Sequence, residues 1–153
     1  MEQRIENIKS VRQFLLDQIA ALSTGQLNEI PQGFNNNIIW NLAHLISGQQ
    51  GIFYARMGLP ISVEERYYSP YRPNTKPQQS LDANQIGVIK QLFISTIEQL
   101  KSDYQRGFFE GYPRWTAMPY GIEIADLGDA VDFLTFHDGL HTGYIMAQKR
   151  ALS

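Results

Sequence analysis

The chain of 153 residues contains no cysteine, which excludes disulfides, thiolate metal sites and a cysteine nucleophile. A reducing cytoplasm fits that composition. Excess basic charge is also missing: 13 Lys and Arg against 15 Asp and Glu leave a formal net charge of −2. The electrostatic footprint of a nucleic-acid binder is therefore absent. No uncharged apolar run approaches the ~18–20 residues that span a bilayer, so no membrane partner is expected. The opening segment MEQRIENIKSVRQFLL carries two glutamates and no continuous apolar stretch, unlike a secretory signal. There is no repeat, no low-complexity tract, no Gly-rich phosphate loop and no nucleophile elbow. Ser-His-Asp catalysis has no supporting serine motif.

What is present reads as one globular domain over 1–153, with 43% hydrophobic and 18% charged residues. Ile5, Ile8, Val11, Leu15, Ile19 and Leu22 recur every three or four positions and predict an amphipathic helix from about 2 to 23, stopped by Thr24-Gly25. A second helix is expected to start behind Asn36 or Asn37 and to run to Met57, with Gly58 and Pro60 ending it. Its interior Gly48 and Gly51 leave room either for a site beside His44 or for a closely packed helix. The stretch 58–80 holds four prolines and reads as a long ordered connection, with Ser62 to Glu65 placed to cap a short helical turn. A third helix spans roughly 81–105, with Ile86, Ile89, Leu92, Phe93, Ile97 and Leu100 inward. After an irregular stretch at 107–125, a fourth helix opens near Asp126 and runs to about Arg150, with Leu127, Val131 and Leu134 on its inner stripe. Four long helices with little strand signal predict an all-α, four-helix bundle. The long second connection can carry the chain back along a helix of about 30 Å, making the second and third helices parallel.

All three histidines fall on this frame. His137 and His141, in FHDGLHTGY, sit one turn apart on one face of the fourth helix. His44 shares a face of the second helix with Trp40 and Ile52. Three buried imidazoles without partners would cost ~1–3 kcal/mol apiece, whereas one shared cation satisfies them together. Three neutral nitrogens suit Zn²⁺, Ni²⁺ or Fe²⁺, and three ligands leave a coordination position open, as in a catalytic site. Water or a substrate thiol is then the group to be activated. No carboxylate is an obvious fourth ligand or base. Asp138 points about 100° away from His137, toward solvent or a supporting role. Tyr144, three residues after His141, either reaches the site with its hydroxyl or packs in the core.

These residues resemble the DinB/YfiT-like superfamily. The shared pattern is a His in NLAHL on the second helix, a PYG-type turn in MPYGIEIADLGDAV, and an HDxxH motif, here HDGLH, on the fourth. The resemblance covers essentially the whole chain. It implies a bundle of up-down-down-up topology, a divalent metal held by His44, His137 and His141, and commonly a homodimer. Characterised members of that family include thiol S-transferases using bacillithiol or mycothiol and a mycothiol-dependent isomerase. Many have no assigned reaction, and the family name is no evidence of DNA repair. One departure stands out: members often carry Gln in an HxGQI-like run, where this chain has HTGYI with Tyr144. A substrate bound through that glutamine does not transfer here.

Aromatic residues cluster in the two irregular stretches. They either wall a pocket over the metal or cover the helix ends or a dimer interface. Trp40, Trp115, Tyr120 and Tyr144 are the pocket candidates. Arg12, Lys90 and Lys101 read as solvated faces. Two functions stay open: a metal-dependent enzyme, either a hydrolase or a thiol S-transferase acting on a small molecule, and a non-catalytic metal-binding or dimerisation bundle.

Overall fold

A computed structural model describes residues 1–152. Its helices are α1 (Glu2–Ile19), α2 (Thr24–Asn28), α3 (Ile38–Phe53), α4 (Ala83–Gln105) and α5 (Leu127–Ala151), with a two-stranded hairpin, β1 (Trp115–Ala117) and β2 (Ile122–Ile124), before α5. The chain is thus predominantly helical. Among the described residues, no helix is long and apolar enough to cross a membrane.

α3 is buried almost all round, as expected for a helix packed on every side. It packs on α4 and α5, and α1 packs on the same two helices. The caps are local and explicit. Asn37 accepts from the Trp40 N–H at 2.9 Å, Asp82 and Gln85 form a reciprocal capping box, and Asp126 accepts from the Asp129 N–H.

Four details differ from the sequence expectation. α1 ends at Ile19, and Ser23 with Gln26 forms a capping box that starts the short α2. α3 ends at Phe53 and passes into a 3-10 turn, Ala55–Met57, closed by Gly58 at φ +70°. The Ser62 side chain does not cap a turn; its backbone N–H and its hydroxyl both donate to Gln50 of α3. The 107–125 stretch contains the β1–β2 hairpin, in register Trp115↔Ile124 and Ala117↔Ile122.

The largest correction concerns charge. Arg12 is 1% exposed, whereas Val11, expected on the inner stripe, is 38% exposed. The true inner spacing of α1 is Ile5, Ile8, Arg12, Leu15, Ile19, with an arginine in a core slot. Its Nε donates to Asp138 Oδ2 at 2.7 Å, and Nη1 donates to Gln49 Oε1 at 2.8 Å and to the Phe93 carbonyl at 3.1 Å. Gln49 donates in turn to the Thr96 carbonyl at 2.8 Å. Asp138, expected to face solvent or support the histidines, is buried in this network. Burial pushes its carboxyl upward in pKa, while the Arg12 guanidinium pulls it back. Lys101, by contrast, stays on a solvated face, pairing there with Glu6 at 2.7 Å.

This polar layer divides two apolar clusters. One contains Leu15, Ile19, Ile46, Phe93 and Ile145, and the other Ile5, Ile8, Ile52, Ile97 and Leu134. On each of the four long helices the network residue lies, in chain order, between members of the two.

Candidate metal centre

α3 contributes His44 and α5 contributes His137 and His141, one turn apart. The ring centroids of His44 lie 5.2 Å from His137 and 4.7 Å from His141, and the α5 pair is 4.7 Å apart. One candidate ligand nitrogen from each ring lies within 4.8 Å of the other two. The approach of α5 to α3 is set by a missing side chain. A Cβ on Gly48 would meet His137 Cε1 at 2.9 Å, so only glycine leaves the ring its place. At Gly51 the nearest group is the Tyr68 hydroxyl, at an ordinary 3.7 Å.

Hydrogen bonds fix two of the three tautomers. His44 Nδ1 lies 2.7 Å from the Tyr71 carbonyl. A carbonyl can only accept, so Nδ1 carries the proton and Nε2 presents its lone pair. His141 Nδ1 lies 2.8 Å from Asn41 Oδ1. The Asn41 amide nitrogen is committed to Asn36, to the Asn37 carbonyl and to Gln148, so its oxygen accepts from His141, whose Nε2 is likewise free. Carbonyl-oriented imidazoles of this kind are the usual support for metal-binding histidines.

His137 is different. Its Nδ1 is buried without a hydrogen-bond partner among the described residues, and its ring stacks on Phe133 at 6.3 Å. Such an orphaned nitrogen costs ~1–3 kcal/mol unless something polar meets it. Burial drives the His137 imidazole down to about 3, helped by the charges of His141, His44 and Arg12. His141 is driven down to about 4 by burial and then by His44. His44 is also lowered by burial, with its bond to the Tyr71 carbonyl acting the other way. All three rings are neutral near pH 7, the form that binds metal. The donor set therefore fits a divalent cation.

The three rings open onto a cavity of about 810 Å³, within the range of small-molecule sites. Trp40, Trp115 and Tyr120 line it, and Trp40 stacks on His44 at 4.9 Å with the planes 10° apart. Tyr144 lies apart from this lining; it is part-exposed and stands edge-on to Phe34. Residues that the sequence reading passed over include Asn41, the Tyr71 carbonyl, Arg56 and Arg72. Asn41 carried a usable signal, since a polar residue inside a wholly buried helix must be hydrogen-bonded. A backbone carbonyl in a proline-rich connection carries none.

The family model of the DinB superfamily matches residues 7–145. No curated protein matches the chain.

Proposed function

The chain belongs to the DinB superfamily, and from that premise we propose that His44, His137 and His141 hold one divalent ion, Zn²⁺, Ni²⁺ or Fe²⁺, at an enzymatic site. The observation that carries this reading is the convergence of three neutral imidazoles, two with Nε2 freed by their Nδ1 partners and one with an orphaned nitrogen. Such an ion supplies Lewis acidity, which makes water or a low-molecular-weight thiol nucleophilic near neutral pH. The reaction class is accordingly hydrolysis or thiol S-transfer on a small molecule. Trp40, Trp115 and Tyr120 shape the pocket in this reading, and Tyr144 has no part in it. His44 and His141 stay pointed at the centre because Tyr71 and Asn41 hold their far nitrogens.

The order in which the helices pass the two apolar clusters supports an up-down-down-up bundle in a single domain. α1 and α5 run from the Ile8 cluster to the Leu15 cluster, while α3 and α4 run the other way. Phe136, Leu140 and Tyr144 form an exposed apolar stripe on α5, which supports a homodimer. A cytoplasmic protein without nucleic-acid or membrane partners completes the proposal.

One observation favours a second reading, a non-catalytic metal-binding protein. No carboxylate lines the cavity among the described residues, so no protein base stands ready for proton transfer. Elemental analysis of tag-free protein, with His137→Ala beside it, tests the metal. Near-stoichiometric metal that disappears in a folded variant is the expected result; a metal-free wild type sinks the proposal. A thiol-plus-electrophile screen against an ester screen then separates transferase from hydrolase. Unfolding on metal removal, with no turnover in either screen, selects the non-catalytic reading.

A further inference from the structure

Among the described residues, the charged side chains lining the cavity are Arg56 and Arg72. We infer that the cavity receives a small organic acid with an apolar body, its carboxylate or phosphate group held by these two arginines. This inference rests on the cavity being the working site proposed above, and it assigns the class of molecule that enters.

Three observations carry it. The lining is one-sidedly positive in a chain whose net charge is −2, so the charge there runs against the composition. Second, four of the six other arginines are neutralised by a carboxylate, Arg4 by Asp132, Arg12 by Asp138, Arg66 by Glu64 and Arg106 by Asp103, and the two left over, Arg114 and Arg150, lie outside the cavity lining. No such carboxylate pairs with Arg56 or Arg72 among the described residues. Third, each guanidinium lies over an aromatic ring that also lines the cavity, Arg56 at 3.8 Å from the Trp115 centroid and Arg72 at 5.6 Å from that of Tyr68. A guanidinium held over a ring face still has N–H donors to offer, and such donors recognise carboxylate and phosphate. The two arginines come from different segments, the turn after α3 and the proline-rich connection. Trp40, Ile52 and Phe133 supply apolar wall to the same cavity, with Trp40 stacked on His44 and Phe133 on His137. The acid group is therefore matched to the arginines and the rest of the molecule to the aromatic wall above the histidines.

Both arginines are solvent-exposed, so their contribution is screened by water and salt and each supplies a moderate share. The chain supplies its own reporter, because both of its tryptophans line the cavity. Phenylacetate, phenyl phosphate and the neutral phenylacetamide are titrated into metal-free full-length protein, read by tryptophan fluorescence and calorimetry. Metal-free protein keeps direct anion–metal ligation out of the signal. The expected result is saturable binding of one or both anions and none of the amide, weakened by added salt. Arg56→Gln and Arg72→Gln each weaken it roughly three- to tenfold, the double variant abolishes saturation, and Arg56→Lys falls between. The tighter of the two anions identifies the acid group. Equal binding of the amide, or anion binding indifferent to both substitutions in proteins that unfold like wild type, overturns the inference. Elemental analysis of the same variants keeps the two readings separate. Metal without arginine-dependent anion binding overturns this inference alone, and anion binding without metal overturns only the metal proposal.

Discussion

His137 and Asp138 are neighbours on α5, yet they belong to two polar clusters that face apart and are built differently. Asp138 enters a closed network in which the Arg12 guanidinium meets a carboxylate, an amide oxygen and a backbone carbonyl, all inside the core. His137 enters an open cluster in which a buried nitrogen is left unmet and a cavity lies alongside. The first cluster is complete without any visitor. The second brings one candidate ligand nitrogen from each of three rings within 4.8 Å of the other two, with His137 Nδ1 unpartnered among the described residues. A structural polar layer and a ligand site can thus share one helix turn, and the difference shows in which of them is satisfied.

The sharpest way to break this comparison is to damage the closed cluster. Asp138→Ala leaves Arg12 buried and unpaired, and a loss of about 3–5 kcal/mol in chemical denaturation is expected. Replacing both partners, as Arg12→Met with Asp138→Leu, recovers most of that loss, because the cost lies in the uncompensated charge. A next, smaller effect separates the clusters by ligand. With metal at about 100 times its Kd, wild type gains about 2.7 kcal/mol. His137→Ala abolishes that gain while shifting the metal-free protein far less than Asp138→Ala does. Comparable losses in the two metal-free variants would mean that the imidazole cluster is itself structural.

Gly48→Ala comes third. Its methyl carbon would stand 2.9 Å from His137 Cε1, so the ring or a helix must shift, at about 1–3 kcal/mol. Metal affinity is expected to fall along with stability, whereas Gly51→Ala, whose methyl would make only an ordinary contact at 3.7 Å with the Tyr68 hydroxyl, leaves both near wild type. The last effect is on pH, and near neutral pH it vanishes. The folded rings titrate below the ~6.5 of an unfolded histidine, His137 near 3 and His141 near 4. Between those values the unfolded chain binds more protons, so metal-free protein loses stability as pH falls through that window. Above about pH 6.5 the histidines contribute no pH dependence. His137→Ala should flatten the acid limb, a change readable from denaturation midpoints between pH 7 and 4.5.

The sequence reading succeeded where patterns are long and failed where one residue breaks a rule. The long helices were legible because apolar residues recur over several turns, and Asn37, Asp82 and Asp126 are conventional starting caps. The histidine trio was legible because i, i+4 spacing on one helix needs only one further partner. Arg12 was not, since a charged residue is outside by default and Val11, three positions after Ile8, satisfied the same three-or-four spacing although it points about 100° away. Asp138 was misread for the same reason: its partner lies 126 positions away, and no local pattern encodes that distance. The hairpin strands, of three residues each, and the five-residue α2 are too short to show a period. Trp40, Trp115 and Tyr120 reach the cavity lining, but Tyr144, on the same helix as the histidine pair, is turned toward Phe34.

The proline-rich connection is hydrogen-bonded to α3 at three residues: Tyr71 to His44, Tyr68 to Ser47, and Ser62 twice to Gln50. It acts as a splint, setting the rotation of one imidazole from a segment that supplies none of the three rings. A proteolytic nick between Tyr68 and Tyr71 would release His44 from its clasp while leaving every ligand atom in the chain. Insertions or deletions in this segment between related proteins would retune the centre from a distance, with the histidines themselves untouched.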